Sequence, residues 1–313
     1  MRAKPAPGRD PGNDPLAEVL ERTSTIVLGK TQVIRLALAC LLARGHLLLE
    51  DVPGVGKTTL AHALAHVLHL QYRRIQFTSD LLPADVLGAS IFERESATFR
   101  FHPGPVFAEL VLADEINRAP PKTQSALLEA MEEEQVTVEG ETRALPDPFF
   151  VIATQNPREQ AGTYPLPESQ LDRFLMRLSL GFPDTGAERE LLGGRDRRHL
   201  VRDLAAVLDP ARLRELQARA ETIHAAPAIL DYVQALLAAS RDGDRFVAGL
   251  SPRAGLSLLA AARAWALLGG RDYVLPEDVQ AVLGPVVDHR LHPLAGEDHD
   301  APGARLLADV PLP

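Results

Sequence analysis

Short apolar runs alternate with helical segments over residues 16–183, and the pattern changes once after that. Strands separated by helices are typical of βαβ units and a mostly parallel sheet. From 184 to 292 the chain is rich in Ala, Leu and Arg at helical spacing, which predicts a second, all-helical domain. The five apolar runs that predict strands are 46–50, 72–78, 109–113, 149–154 and 176–180.

The two ends of the chain follow neither pattern. Residues 1–15 are rich in proline and glycine, which predicts a flexible arm. Residues 293–313 contain a polar Gly-Glu-Asp-His-Asp run and predict a poorly ordered or loosely docked tail. The globular part of the molecule is therefore expected to span residues 16–292.

Helix boundaries in the second domain can be predicted from cap residues. Asp209 and Ser251 each precede a proline, as an N-cap precedes proline at the first helical position. Leu275 is followed by Pro276 and two acids, which favour the positive end of a helix. Gly269 is followed by a second glycine and is expected to end a helix.

Composition places the chain among ordinary globular proteins. Of its 313 residues, 46% are hydrophobic and 24% are charged. The net charge of −9 argues against a nucleic-acid partner, which would require a basic face. Cys40 is the single cysteine, so no internal disulfide can form, and the long apolar stretches are interrupted by Arg44 and Arg263. A soluble cytoplasmic protein without a membrane span is expected.

The segment after the first predicted strand has the chemistry of a phosphate-binding loop. Gly54 and Gly56 allow backbone N–H groups to turn toward a phosphate, at the positive end of the helix that follows. Lys57 can reach the β and γ phosphates, and the Thr58 hydroxyl can ligate Mg²⁺. The general pattern expects glycine where this chain has Asp51.

Two later strands also end in polar side chains. Asp114 and Glu115 follow the run 109–113, where an acid can hold Mg²⁺ and its neighbour can deprotonate a water. By itself, an apolar run that ends in two acids is common. Asn156 follows the run 149–154 and can hold a water or a γ-phosphate, although an Asn-Pro turn is an alternative. Arg173 belongs either to a surface charge cluster or to an arginine finger offered to a neighbouring subunit.

These segments, in this order, resemble the AAA+ ATPases, and longer strings are similar to those of the MoxR family. The similarity runs from about residue 16 to residue 291. The strings are Leu49-Glu-Asp-Val-Pro-Gly-Val-Gly-Lys-Thr58, Ala113-Asp-Glu-Ile-Asn-Arg-Ala-Pro120, Ala153-Thr-Gln-Asn-Pro157, Gly162-Thr-Tyr-Pro-Leu-Pro167, Gln170-Leu-Asp-Arg-Phe174, Ser251-Pro-Arg-Ala254 and Gly270-Arg-Asp-Tyr-Val274.

The resemblance implies an AAA+ phosphate-loop domain with a five-stranded parallel sheet, followed by a small helical lid. It implies ATP and Mg²⁺ as ligands, with Thr58 and Asp114 on the metal. Glu115, Asn156 (sensor 1), Arg173 (arginine finger) and Arg253 (sensor 2) would be catalytic, and Arg253 could clamp the γ-phosphate and couple nucleotide state to lid angle. Nucleotide contacts would come from Val27, Leu28, Gly29, Pro53, Gly54, Val55, Gly56, Lys57, Thr58, Thr59 and Asp114.

The resemblance also implies a homo-oligomeric ring of six subunits that remodels or matures protein complexes. A von Willebrand factor A domain partner and a protein client would follow from it. Segments 81–105 and 134–148 resemble the family's two insertions, which touch substrate or merely cover a sheet edge. Two other functions stay open at this stage: a nucleotide-gated assembly scaffold with incidental turnover and, less favoured by the charge, a DNA-translocating relative.

Overall fold

The computed structural model describes residues 14–157, 162–194, 197–242, 245–294 and 301–312. In these residues the strands are β1 (Leu47–Glu50), β2 (Tyr72–Gln76), β3 (Gly88–Glu93), β4 (Thr98–Pro103), β5 (Leu110–Asp114), β6 (Gln135–Val138), β7 (Glu141–Ala144), β8 (Phe150–Gln155) and β9 (Met176–Leu178). The main sheet has five parallel strands in the order β2-β5-β8-β1-β9. Its five strands lie where the apolar runs predicted them, so the parallel sheet is confirmed.

Helices flank the sheet and make up the second half of the chain. They are α1 (Pro15–Ile26), α2 (Thr31–Leu42), α3 (Lys57–Val67), α4 (Pro83–Leu87), α5 (Pro121–Glu133), α6 (Glu168–Leu171), α7 (Thr185–Gly193), α8 (Arg197–Arg202), α9 (Pro210–Glu221), α10 (Pro227–Arg241), α11 (Pro252–Leu268), α12 (Pro276–Val287) and α13 (Pro302–Asp309). Within the described residues, no helix is both long and apolar enough to cross a lipid bilayer.

The central strands are buried on both faces, which explains their unbroken apolar runs. Leu47 and Leu49 of β1 pack in the core layer that contains α1, α2 and α3. Leu48, between them, packs on the other face with residues of α4 and α5. Gln76 pairs with Asp114 and Glu50 pairs with Gln155, so these strands end at the same edge of the sheet. Polar residues that follow the strands are thereby collected at that edge.

Both predicted insertions contain antiparallel hairpins. Strands β3 and β4 pair with each other after α4, and β6 pairs with β7. Gly88 begins the first hairpin with a φ of 97°, and a Cβ there would lie 2.3 Å from the His102 carbonyl oxygen, so only glycine fits. The hairpins meet where the Arg143 guanidinium lies 4.0 Å from the centroid of the Phe101 ring.

The predicted helix boundaries of the second domain are confirmed. The Asp209 side chain accepts from the Arg212 N–H, and the Ser251 side chain accepts from the Ala254 N–H. Helix α11 ends at Gly269, and the Asp278 carboxylate accepts from the Leu275 N–H at the start of α12. Buried side chains of α11 join this helical domain to the core cluster that includes α2. The lid is therefore built against the sheet domain.

The expectation of a loosely docked tail is wrong for residues 301–312. Helix α13 packs on α10 and α12, and Leu306 is only 1% exposed. The Gly303 N–H donates to the Asp288 carboxylate at 2.7 Å. Because a polar run precedes this segment, its apolar residues were not recognised in the sequence. Residues 295–300 lie outside the described residues. The predicted N-terminal arm falls mostly on residues 1–13, which also lie outside them.

Candidate active site

The loop between β1 and α3 borders a cavity of about 570 Å³. Gly54 and Gly56 have φ values of 85° and 102°, in the left-handed region that favours glycine. Helix α3 begins at Lys57, so its unpaired N–H groups and the positive end of its dipole lie at the loop, an arrangement that fits a phosphate. The cavity is lined by Pro53, Gly54, Gly56, Lys57, Thr58, Thr59, His62, Arg74, Asp114, Glu115, Thr154, Asn156, Val201 and Arg202.

Lys57 is held at this cavity by backbone oxygens. Its Nζ donates to the Asp51 carbonyl at 2.5 Å and lies 3.4 Å from the Val52 carbonyl oxygen. Burial lowers the pKa of Lys57, against the opposing effect of the carboxylates of Asp51, Asp114 and Glu115. The ammonium group is thus partly desolvated at the place where phosphate oxygens would enter.

Asp51, the departure from the general loop pattern, joins the loop to the end of β9. Its carboxylate accepts from the Ser179 hydroxyl at 2.9 Å, the Gly181 N–H at 2.7 Å and the Val52 N–H at 3.0 Å. Burial favours a raised pKa for Asp51, but these hydrogen bonds outweigh it and the pKa is lowered. An ionised Asp51 therefore fixes the first residue of the loop.

Asp114 and Thr58 line the same cavity with oxygen donors. The Thr154 hydroxyl donates to Asp114 Oδ1 at 2.6 Å, and Arg74 Nη2 donates to Oδ2 at 2.6 Å. Carboxylate and hydroxyl oxygens are the hard ligands that Mg²⁺ prefers, and it is commonly bound by one or two protein groups together with phosphate oxygens. The donor set of Thr58 and Asp114 therefore fits this ion.

Glu115 has an unusual backbone conformation. Its φ and ψ are 57° and 49°, which is rare for a residue other than glycine and costs conformational energy. Its carboxylate accepts from Gln76 Nε2 at 3.0 Å and pairs with Arg118 Nε at 3.0 Å. Asn156, 7% exposed at the end of β8, lines the same cavity. Strand ends thus bring both residues to the phosphate loop.

A second cavity of about 190 Å³ adjoins the first. Val27 and Leu28 line it, and Gly29 follows them in a left-handed conformation with a φ of 68°. Val55 lines this cavity as well, and Gly54, Gly56 and Thr59 line both cavities. Its mostly apolar wall beside the phosphate loop fits a nucleobase.

Arg173 and Arg253 do not line either cavity. Arg173 donates to the Leu128 carbonyl at 2.7 Å and pairs with the Glu132 carboxylate at 2.6 Å. Arg253 pairs with the same carboxylate at 3.0 Å and lies 3.8 Å from the Asp172 carboxylate. The family resemblance implied that Arg253 could clamp the γ-phosphate and couple nucleotide state to lid angle. The structure places it beside Arg173, away from the phosphate loop of its own chain, because the lid docks with the start of α11 next to α5 and α6.

Comparison with known proteins agrees with this geometry. Residues 46–176 match the family model of ATPases associated with various cellular activities (AAA), and residues 238–309 match the AAA lid domain. Over 90% of the chain the sequence is 47% identical to the protein YeaC of Bacillus subtilis, of which 88% is covered. It is 43% identical over 88% of the chain to the chaperone MoxR1 of Mycobacterium tuberculosis, of which 75% is covered.

The protein MoxR of Paracoccus denitrificans is 37% identical, and 85% of each chain is covered. The chain belongs to the MoxR family of AAA+ ATPases. A structure solved for a candidate ATPase of Cytophaga hutchinsonii has a TM-score of 0.86, with 34% identity and coverage of 96% of this chain and 95% of the other. The MoxR resemblance, the AAA+ fold and the helical lid are thereby confirmed.

Several side chains at the MoxR-family site were not predicted. Arg74 and Gln76 come from β2, and Thr154 lies within β8. Alternation along β2 places residues 74 and 76 on one face, but the sequence does not reveal that this strand lies beside β5. Arg202 reaches the cavity from α8, in a segment without a motif. These residues can be found only from the tertiary arrangement.

Proposed function

We propose that this MoxR-family protein hydrolyses ATP with Mg²⁺ between adjacent subunits of a six-membered homo-oligomeric ring. The observation that carries the proposal is the convergence of Lys57, Thr58, Asp114, Glu115 and Asn156 on one cavity. A phosphate-binding loop alone supports nucleotide binding. An acid and an amide at the same cavity support hydrolysis as well.

Hydrolysis would proceed by positioning and charge stabilisation. The loop N–H groups and Lys57 would bind the β and γ phosphates, and Thr58 and Asp114 would hold Mg²⁺, which would supply charge neutralisation on the phosphate oxygens. Glu115 takes a proton from the water whose oxygen bonds to the γ-phosphorus, while the bond from that phosphorus to the ADP oxygen breaks. Asn156 orients that water through its amide.

Arg173 and Arg253 would complete the site of the neighbouring subunit. Both guanidinium groups meet at Glu132, outside the cavities of their own chain. A pair of arginines on one surface suits the delivery of positive charge to a γ-phosphate held by another chain. Glu132 would keep them oriented before the subunits meet.

Glu115→Gln provides the direct test of hydrolysis. The substitution keeps the size of the side chain but removes its basicity, so ATP binding should persist while turnover falls by about 10²-fold or more. Calorimetry and phosphate release measure the two properties. Glu129→Gln, at an exposed position of α5, is the matched control and should keep wild-type turnover. Wild-type turnover by Glu115→Gln would show that Glu115 is not the base.

The proposed role of the ring is chaperone-like: it would remodel or mature protein complexes. One relative is named a chaperone, which supports this role. The β3–β4 hairpin exposes Phe92 and Phe99, whose rings contact each other at 5.3 Å between centroids, and these are candidates for contact with a protein client. A von Willebrand factor A domain protein is the proposed partner, and the cytoplasm, with its ATP, is the proposed compartment.

A further inference from the structure

Arg74 is a cation placed directly on the carboxylate proposed to hold Mg²⁺. Its Nε and Nη2 donate to Asp114 Oδ2 at 3.1 and 2.6 Å. Nη2 also donates to Gln76 Oε1 at 2.9 Å. The Arg74 side chain is 48% exposed and the Asp114 side chain is 12% exposed, so the pair lies at the wall of the cavity rather than in the core.

Both oxygens of Asp114 are engaged in these contacts. Oδ1 accepts from the Thr154 hydroxyl, which itself accepts from the Glu115 N–H at 2.9 Å. Thr154 is fully buried, so that side of the carboxylate is fixed by the sheet. Oδ2 accepts both bonds from Arg74, so a cation that binds Asp114 through Oδ2 must share that oxygen with the guanidinium or displace it.

We propose that Arg74 competes with Mg²⁺ for Asp114 and thereby sets the cation concentration at which the site loads. The inference rests on the proposed function and adds a residue to it. A guanidinium beside the carboxylate repels a divalent cation, and its hydrogen bonds occupy the ligand oxygen. Gln76 Oε1 can still accept from Arg74 after the guanidinium leaves Asp114, so the displaced guanidinium keeps one hydrogen-bond partner.

Arg74 also lines the phosphate cavity, so a direct contact with a γ-phosphate is the competing role. The two roles have opposite effects on nucleotide affinity, and they concern different ligands. A competitor of Mg²⁺ weakens metal-dependent binding of any nucleotide, whereas a γ-phosphate ligand strengthens binding of ATP alone. ADP, which has no γ-phosphate, is therefore the probe that isolates competition.

The experiment measures ADP affinity by calorimetry over a series of free Mg²⁺ concentrations. The midpoint is the free Mg²⁺ concentration at which half of the full gain in ADP affinity is reached. In Arg74→Ala and Arg74→Gln it should be about three- to fivefold lower than in the wild type, the size expected for a half-exposed ion pair. Arg74→Lys keeps the charge and should stay closer to wild type. Arg73→Ala is the matched control, because residue 73 lies on the opposite face of the same strand and should leave the midpoint unchanged.

The possible outcomes distinguish a failure of the Arg74 inference from a failure of the proposed function. A lower midpoint in Arg74→Ala and Arg74→Gln, but not in Arg73→Ala, supports competition. An unchanged or higher midpoint overturns it, as does a loss of ATP affinity without any change for ADP. If Arg74→Ala fails to fold, the same criteria apply to Arg74→Gln. Failure of the wild type to bind ADP at any Mg²⁺ concentration would instead contradict the proposed nucleotide site.

Discussion

Asp51 is a single side chain that fixes the first residue of the phosphate loop. Three donors, from Val52, Ser179 and Gly181, point at its carboxylate, and its own carbonyl oxygen accepts from Lys57. A glycine at this position would leave the three donors without this acceptor. The residue therefore links the lysine proposed to bind phosphate to the strand end at the far side of the loop.

Asp51→Asn should weaken both folding and nucleotide binding. An amide cannot accept from all three donors, because its NH₂ group would face at least one of them. We expect a loss of about 1–3 kcal/mol in the free energy of unfolding, the cost of leaving a buried polar group unpaired. ATP affinity should fall by about three- to tenfold as Lys57 loses its fixed position.

Urea unfolding and calorimetry measure these two effects. Ser179→Ala removes only one of the three donors and should give a smaller change of the same sign. If Asp51→Asn binds ATP as tightly as the wild type does, the carboxylate does not position the loop.

At the scale of elements, His46 connects strand β1, strand β8 and helix α5. The Val151 N–H of β8 donates to its Nδ1 at 3.1 Å, so the ring proton lies on Nε2, which donates to the Met131 carbonyl of α5 at 3.1 Å. His46 itself directly precedes β1. Burial lowers its pKa to about 4, against a smaller raising effect of the Met131 carbonyl. The folded protein therefore holds this histidine neutral.

The free energy of unfolding should fall as the pH drops from 6.5 toward 4. Over this range the unfolded chain binds a proton at His46 that the folded chain does not, while above pH 6.5 neither state does. The slope contributed by this group is at most about 1.4 kcal/mol per pH unit. Urea unfolding at several pH values measures it.

His46→Gln removes the titrating group but retains a donor and an acceptor. We expect lower stability at pH 7 but a flatter decline between pH 6.5 and 4 than in the wild type. His224→Gln, at an exposed position, should keep the wild-type slope. Equal slopes for His46→Gln and the wild type would mean that His46 titrates normally in the fold.

Elements could be predicted from the sequence where the signal is local. The strands follow from apolar runs, and the caps at Asp209 and Ser251 from residues next to a proline. The contacts between elements could not be predicted in this way. The Arg290 guanidinium binds Asp172 at 2.7 Å across 118 positions of the chain, and this packing of lid on core decides where Arg253 lies. The ion pair between Arg74 and Asp114 likewise depends on strand order.

At the scale of the whole molecule, the cluster around Glu132 is the feature proposed to connect one subunit to the next. Arg173 and Arg253 come from the sheet domain and the lid, yet both pair with this carboxylate. A change in lid angle would therefore move one arginine relative to the other. If the cluster meets the γ-phosphate of a neighbour, nucleotide state in one subunit is coupled to lid position in the next.

The proposed completion of the site between subunits predicts a result for mixed rings. Arg173→Ala should bind ATP nearly as well as the wild type but hydrolyse it about 10³-fold more slowly, since a finger acts mainly in the transition state. Lys57→Ala should lose ATP affinity by about tenfold or more. Neither variant alone should hydrolyse ATP at an appreciable rate.

In a ring of both variants, some interfaces pair the intact Lys57 of one subunit with the intact Arg173 of its neighbour. Those interfaces should recover part of the wild-type turnover, and the recovery should peak at an intermediate mixing ratio. Arg219→Ala, at an exposed position of α9, is the control and should be active without mixing. Light scattering must show that each variant assembles, because Arg173 also contacts the Leu128 carbonyl in its own chain. If mixed rings form and no activity returns, or if Arg173→Ala is fully active at dilutions where only monomers exist, Arg173 belongs to a surface charge cluster and each subunit completes its own site.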